Sequence, residues 1–218
     1  MTAWPRTPRG AGSLLISAVL LAAGCSDLTF QRTPPPPPAE PPTAADDGTG
    51  NPPNWADCET AWLGQYFNLS VDDELVEMDP DEVLPAVEDL PLWDAGGLAF
   101  QQLDTALDFG SAWWPVDDGF SEDPRYFAVR WTAWIRALGD TTLELALGAK
   151  TDLWVFIGDA EVASIVGSEA FEPELVSIPL DGGQYSIEVR FAHRAGADNG
   201  MLFRVAGGDV VICEPEFE

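Results

Sequence analysis

Histidine is almost missing from this 218-residue chain, with one residue, His193. A histidine-rich metal site is therefore ruled out, and His193 is the one histidine left for a catalytic base. It ends an alternating stretch beside Arg194, where it reads as a structural or surface residue. Basic side chains are scarce as well, 10 against 37 acidic ones. A surface this negative repels phosphate backbones, so nucleic acid is excluded as a partner. There is no Gly-x-Ser-x-Gly elbow, no phosphate-binding loop and no internal repeat. No apolar run reaches the about 20 residues that cross a bilayer as a helix. Cysteine is limited to three residues. What is abundant is core material: 46% hydrophobic and 11% aromatic residues, with nine tryptophans, point to a packed β-rich domain.

The first 24 residues read as a leader. Arg6 and Arg9 precede an apolar stretch over 13–23, Ser-Leu-Leu-Ile-Ser-Ala-Val-Leu-Leu-Ala-Ala, which has the size of a signal-peptide apolar region. It ends in Leu21-Ala22-Ala23-Gly24-Cys25, which resembles the lipobox of bacterial lipoproteins, with Ala22 where leucine is more usual. The resemblance implies cleavage before Cys25, diacylglycerol on its thiol and acylation of the new amine. Several acyl chains would make a durable membrane anchor, at about 0.8 kcal/mol per buried CH₂. Ser26 after the cysteine looks like an outer-membrane sorting signal, which places the chain in the cell envelope, at the outer membrane or cell surface. After loss of the leader, eight basic residues would face 37 acidic ones, a net charge of −29.

Residues 25–53 form the second region, the lipidated cysteine and a linker. Its segment 33–53, TPPPPPAEPPTAADDGTGNPP, has no apolar content to fold on its own. Proline runs favour polyproline II, a stiff spacer of about 3.1 Å per residue, and Asp46 to Gly50 adds a flexible joint. The expectation is a disordered proline-rich tether that lifts a domain off a membrane.

That domain is residues 54–218. Tyr185, Ile187, Val189 and Phe191 alternate with Gln184, Ser186, Glu188 and Arg190, the pattern of a half-buried antiparallel strand. Phe127, Val129 and Trp131 alternate in the same way, as do Leu143, Leu145 and Leu147. Leu153 to Ile157 is apolar throughout and predicts a strand buried on both faces. Met201–Val205 and Asp209–Cys213 complete the set, with turns at Asp181-Gly182-Gly183 and Asp198-Asn199-Gly200. Short strands with such turns argue a sandwich or barrel. Residues 70–97 are acidic and proline-broken, a surface excursion with at most a short helix at Asp81–Val87. Cys58 and Cys213 flank the domain, and in an exported protein two such cysteines are expected to pair. The closed loop would contribute about 5 kcal/mol on loop entropy.

Four blocks over residues 63–205 resemble the PA14 domain family: Leu63-Gly64-Gln65-Tyr66-Phe67, Phe127 to Trp134 with its Arg130-Trp131-Thr132, Leu153-Trp154-Val155, and Leu180 to Ile187. Asp152 to Ile157, followed by Tyr185 to Arg194, also resembles the related fibro-slime domain. The resemblance implies an all-β fold, an antiparallel β-sandwich of PA14 type, with a role in carbohydrate recognition or adhesion. Sugar-binding members of that family hold calcium with two consecutive aspartates before the Leu-Trp-Val strand and an asparagine or similar ligand from a later loop. The paired positions here are Gly148 and Ala149, beside Lys150, so only Asp152, Asp198 and Asn199 could serve.

Calcium takes about six to eight oxygen ligands, mostly carboxylates where binding is tight. Asp152, Asp198 and Asn199 therefore support a weak calcium site or none, and no other cofactor is implied. Asp117-Asp118-Gly119 and Asp198-Asn199-Gly200 are also ordinary turn formers. Trp113 and Trp114, followed by Pro115, are candidates for a platform that stacks on sugar rings, with the domain core as the alternative. Trp62, Trp93 and Trp134 carry the same ambiguity more weakly, and Trp131 and Trp154 read as core. Glu144, Glu161 and Glu188 could pair as glycosidase acid and base, but nothing marks a pair. The leading expectation is a non-enzymatic surface lipoprotein that binds glycan or another envelope component. The alternative is a structural or protein-interaction subunit of the envelope with no sugar site. A concave pocket with exposed tryptophan and clustered carboxylates at one end of the sandwich would favour the first, and a flat acidic end the second.

Overall fold

The computed structural model describes residues 55–56, 58–69, 90–93, 97–110, 113, 115, 126–167, 171–194 and 199–215. Cys25, Trp114, Asp198 and the suggested helix at Asp81–Val87 lie outside them. Eleven strands are described: β1 (Trp62–Asn68), β2 (Leu98–Asp104), β3 (Leu107–Gly110), β4 (Phe127–Ala137), β5 (Thr141–Ala149), β6 (Asp152–Ile157), β7 (Ala160–Ile165), β8 (Glu174–Leu180), β9 (Gly183–His193), β10 (Met201–Gly207) and β11 (Val210–Cys213). Among the described residues there is no α-helix, and so no helix long and apolar enough to cross a membrane.

The strands form two antiparallel sheets. The larger runs β2-β1-β4-β9-β6-β7, with β11 also on β4, and the smaller runs β3-β10-β5-β8. Period-two patterning decides which side chains meet. Val129, Trp131 and Ile135 of β4, Ile187, Val189 and Phe191 of β9, and Leu153, Val155 and Ile157 of β6 face Leu143, Leu145 and Leu147 of β5 and Met201 and Phe203 of β10 in one buried core. The fold is thus the β-sandwich that the alternation predicts.

β6 is buried along its whole length because it carries apolar residues on both faces. Its outward Trp154 and Phe156 join a second cluster with Phe67, Leu69, Leu90, Leu92, Trp93, Ala128 and Ala192 on the outer face of the large sheet. The chain around the 3-10 turn Pro91–Trp93 supplies three of these residues, so the acidic excursion ends by covering part of that face.

β4 has 11 residues, and two short strands share its edge opposite β9. β1 pairs with Phe127–Thr132 and β11 with Trp134–Ala137, end to end. The Cys58–Cys213 disulfide lies at this junction, with Cα atoms 5.4 Å apart. The Glu214 N–H donates to the Glu59 carbonyl at 3.1 Å beside it. The two cysteines that flank the domain in sequence therefore join its ends, as their positions predict.

Candidate functional site

Two regions merit comparison. The first is the end of the sandwich where the family resemblance would place calcium. Asp152 opens β6 with its side chain 1% exposed. Its Oδ2 accepts from Arg194 Nε at 2.6 Å, and its Oδ1 from the Gly167 N–H at 2.9 Å. Both oxygens are thus held internally, the charge being neutralised by a buried guanidinium. Asn199 is buried and its amide nitrogen donates to the Trp113 carbonyl. Asn199 Oδ1 is buried with no hydrogen-bond partner, the one open side-chain oxygen found among the described candidates.

Among the described residues, Asp152 and Asn199 offer calcium no more than one open side-chain oxygen. Ala149 is a core residue, so a carboxylate there would be desolvated among apolar side chains. A Cβ at Gly148 would come within 3.3 Å of the Phe171 ring and 3.5 Å of Pro173, so a longer side chain would have to displace that packing. Among the described residues no cluster of three acidic, histidine or cysteine side chains could hold a metal.

Trp113, a candidate platform from sequence, is half-buried and packs against the core. Its ring stacks on Phe109 at 4.0 Å and meets Phe127, Trp131, Phe191 and Tyr66 at 5.3–6.3 Å, an aromatic patch of the core. Proline after the tryptophan pair suggests a loop, but a loop segment can still send one large ring inward where the sandwich end leaves room. His193 is fully buried and stacks on Phe127 at 5.8 Å, a structural role.

The second region is a cavity of about 440 Å³ on the outer face of the large sheet, in the usual range for small-ligand sites, about 300–1,000 Å³. It is lined by Thr132 and Trp134 of β4, Ser186, Glu188 and Arg190 of β9, Phe156 of β6, Gly158 and Asp159 of the next turn, and Pro215 after β11. Strand register explains the grouping. Trp134 sits opposite Ser186, while Glu188 lies between Thr132 on one side and Phe156 on the other. These outward positions are the polar half of the alternation, apart from the two aromatics. The Leu90–Trp93 segment buries the neighbouring part of the face, and Trp134 and Phe156 of the cavity are themselves only 5% and 7% exposed.

Glu188 and Arg190, two apart on one face of β9, form an ion pair within the cavity. The Arg190 guanidinium lies 5.1 Å from the Trp93 ring and 4.9 Å from the Phe156 ring, so cation–π contacts hold it as well. Sequence reasoning named Glu188 only as one acid among many and placed Trp134 among doubtful platforms. Their convergence needs the pairing of β4, β9 and β6, which no local pattern encodes. Glu144 and Glu161, the other acids weighed for hydrolysis, are exposed and outside this lining.

No protein-family model matches the chain, and no curated protein sequence does. Solved structures do. The PA14 domain of the antifreeze protein MpAFP superposes with a TM-score of 0.50 at 12% identity, over 79% of this chain and 98% of that one. The fold is of the PA14 type. The PA14-type domain also matches the A domain of Epithelial Adhesin 9 from Candida glabrata, solved with Galβ1-3GlcNAc, at a TM-score of 0.46 and 11% identity, over 82% and 91% of the two chains. An α-xylosidase from Xanthomonas citri matches at 0.44 and 10% identity over 72% of this chain, which spans only 16% of the enzyme's length.

Proposed function

We propose that this chain is a lipid-anchored surface protein whose PA14-type domain binds glycan, without catalysis, in the cavity on the outer face of its large sheet. The cavity carries the reading. Thr132, Ser186, Glu188 and Asp159 offer hydroxyls and carboxylates for the hydroxyl groups of a pyranose, above a floor formed by the largely buried Trp134 and Phe156. The lipobox-like Cys25 and the proline-rich tether support presentation of the domain at the outer membrane. Arg194 in place of a metal at the sandwich end supports binding without calcium.

A glycan array with the full-length protein, run with calcium and with chelator, tests the reading. Binding is expected in both conditions with no release of sugar, and Trp134→Ala should weaken it by about tenfold or more. Turnover of the glycan, or a bound glycan indifferent to Trp134→Ala, would overturn the reading. Capture of an envelope protein with no glycan bound would favour the structural-subunit alternative.

A further inference from the structure

Resting on the glycan reading above, we infer that the site takes uncharged pyranoses and rejects glycans bearing carboxylate, sulfate or phosphate groups.

The charge rule follows from the groups that line the cavity. Three of the described lining residues are charged: Glu188, Asp159 and Arg190. Arg190 is the only cation among them, and it is already engaged. Glu188 neutralises it from two residues away, and the Trp93 and Phe156 rings lie against it. A guanidinium recognises an anionic ligand best when its fork of donors is open to a bidentate partner. Here Glu188 already takes the Nε donor, so a ligand carboxylate meets a guanidinium flanked by a part-buried carboxylate and can use the Nε side of the fork only by displacing it, which is costly. Asp159 is exposed in the turn between β6 and β7, at the cavity lining, and within the described residues it makes no ion pair. The lining therefore sums to one negative charge, inside a chain whose net charge is −27.

Uncharged sugars meet the opposite situation. Their hydroxyl groups donate, and the lining is rich in acceptors, namely two carboxylates and the Thr132 and Ser186 hydroxyls. Carboxylate acceptors make the stronger hydrogen bonds to such hydroxyls, and the carboxylates need no partner charge on the ligand to do so. Like-charge juxtaposition gives the selectivity by making the wrong partner worse rather than the right one better.

Matched glycan pairs on an array test the inference with the full-length protein: lactose beside 3′-sialyllactose, N-acetylglucosamine beside its 6-sulfate and 6-phosphate, and xylo-oligosaccharide beside its glucuronic-acid-substituted form. The uncharged member of any pair that binds should bind about tenfold or more tighter than its acidic partner. Glu188→Gln frees the guanidinium and should narrow that ratio about tenfold. Asp159→Asn, at an exposed turn where misfolding is no concern, should narrow it as well. An acidic member that binds the native protein equally or better, or ratios unmoved in both variants, would overturn the inference. If acidic glycans bind and Trp134→Ala abolishes their binding, the site stands and only the charge rule falls. If no glycan binds, the glycan reading itself falls.

Discussion

Gly64 shows how tightly single residues are specified. A Cβ there would lie 2.6 Å from Asp104 Oδ2, 2.8 Å from the Tyr66 ring and 3.0 Å from Trp131 Nε1. The crowding arises because the Tyr66 hydroxyl (2.6 Å) and the Trp131 indole N–H (2.8 Å) both donate to Asp104 directly above the glycine. The motif pieces Gly64, Tyr66 and Trp131, far apart in sequence, are thus one hydrogen-bonded unit closing the core. Burial, and then the Asp104 hydrogen bond and charge, push the Tyr66 hydroxyl well above the ordinary tyrosine range, partly offset by hydrogen bonds from Gln102 and Trp131. The sign follows: the fold favours the neutral phenol, so this stabilisation is complete below about pH 10 and is lost as pH rises beyond it. Urea midpoints measured from pH 8 to 12 should fall above pH 10, and less steeply in Tyr66→Phe. Identical slopes in the two proteins would show that Tyr66 is not the group responsible. Tyr185 shifts in the same direction, mainly through burial, and supplies the slope that remains.

At the scale of elements, β6 carries a buried ion pair that ties it to the end of β9. Arg194→Met would leave the Asp152 carboxylate inside without its cation, and about 3–5 kcal/mol of stability should go with it. Micromolar calcium should shift the melting temperature of neither protein, because binding to a weak site stabilises only as RT ln(1 + [Ca²⁺]/Kd). A clear rise for the native protein would show a tight site rebuilt from residues such as Asp198. The β1–β11 junction depends on its disulfide. Reduction, or Cys58→Ser, should lower the melting temperature, with a loss of stability approaching the about 5 kcal/mol of loop entropy. No change on reduction would mean that hydrogen bonds such as Glu214 to Glu59 hold the ends unaided.

The elements also differ in how legible they were. The central strands β4, β5, β6, β9 and β10 announce themselves by alternation or by an unbroken apolar run. β2, β3, β7 and β8 do not, and all four are edge strands. An edge strand is half-exposed and tolerates weak patterns such as Leu-Ala-Phe-Gln-Gln-Leu-Asp. β8 even contains Pro179, which lacks the N–H that a central position would require.

For the whole molecule, the proposed anchor is tested at Cys25. Cys25→Ser should leave unprocessed precursor and abolish incorporation of labelled palmitate into the protein. Label entering the variant as strongly as the native chain would sink the lipoprotein assignment. The chain's strong negative charge suits a binding site only if its ligand is not itself an anion, which is the selectivity argued for the cavity.

The sequence alone determined the two-sheet class of the domain and the cysteine pair, because each depends on period-two alternation or on position relative to the domain. It also showed that the family's paired aspartates are missing at Gly148 and Ala149. Only the tertiary structure decided what replaces them and where a ligand could sit. Asp152 and Arg194 are 42 residues apart, and their pairing depends on where β6 and β9 end. Trp134, Phe156, Glu188 and Arg190 come from three strands whose register, not their own neighbourhoods, brings them to one cavity, and whether an outward residue lies open or covered depended on where the Leu90–Trp93 segment came to rest.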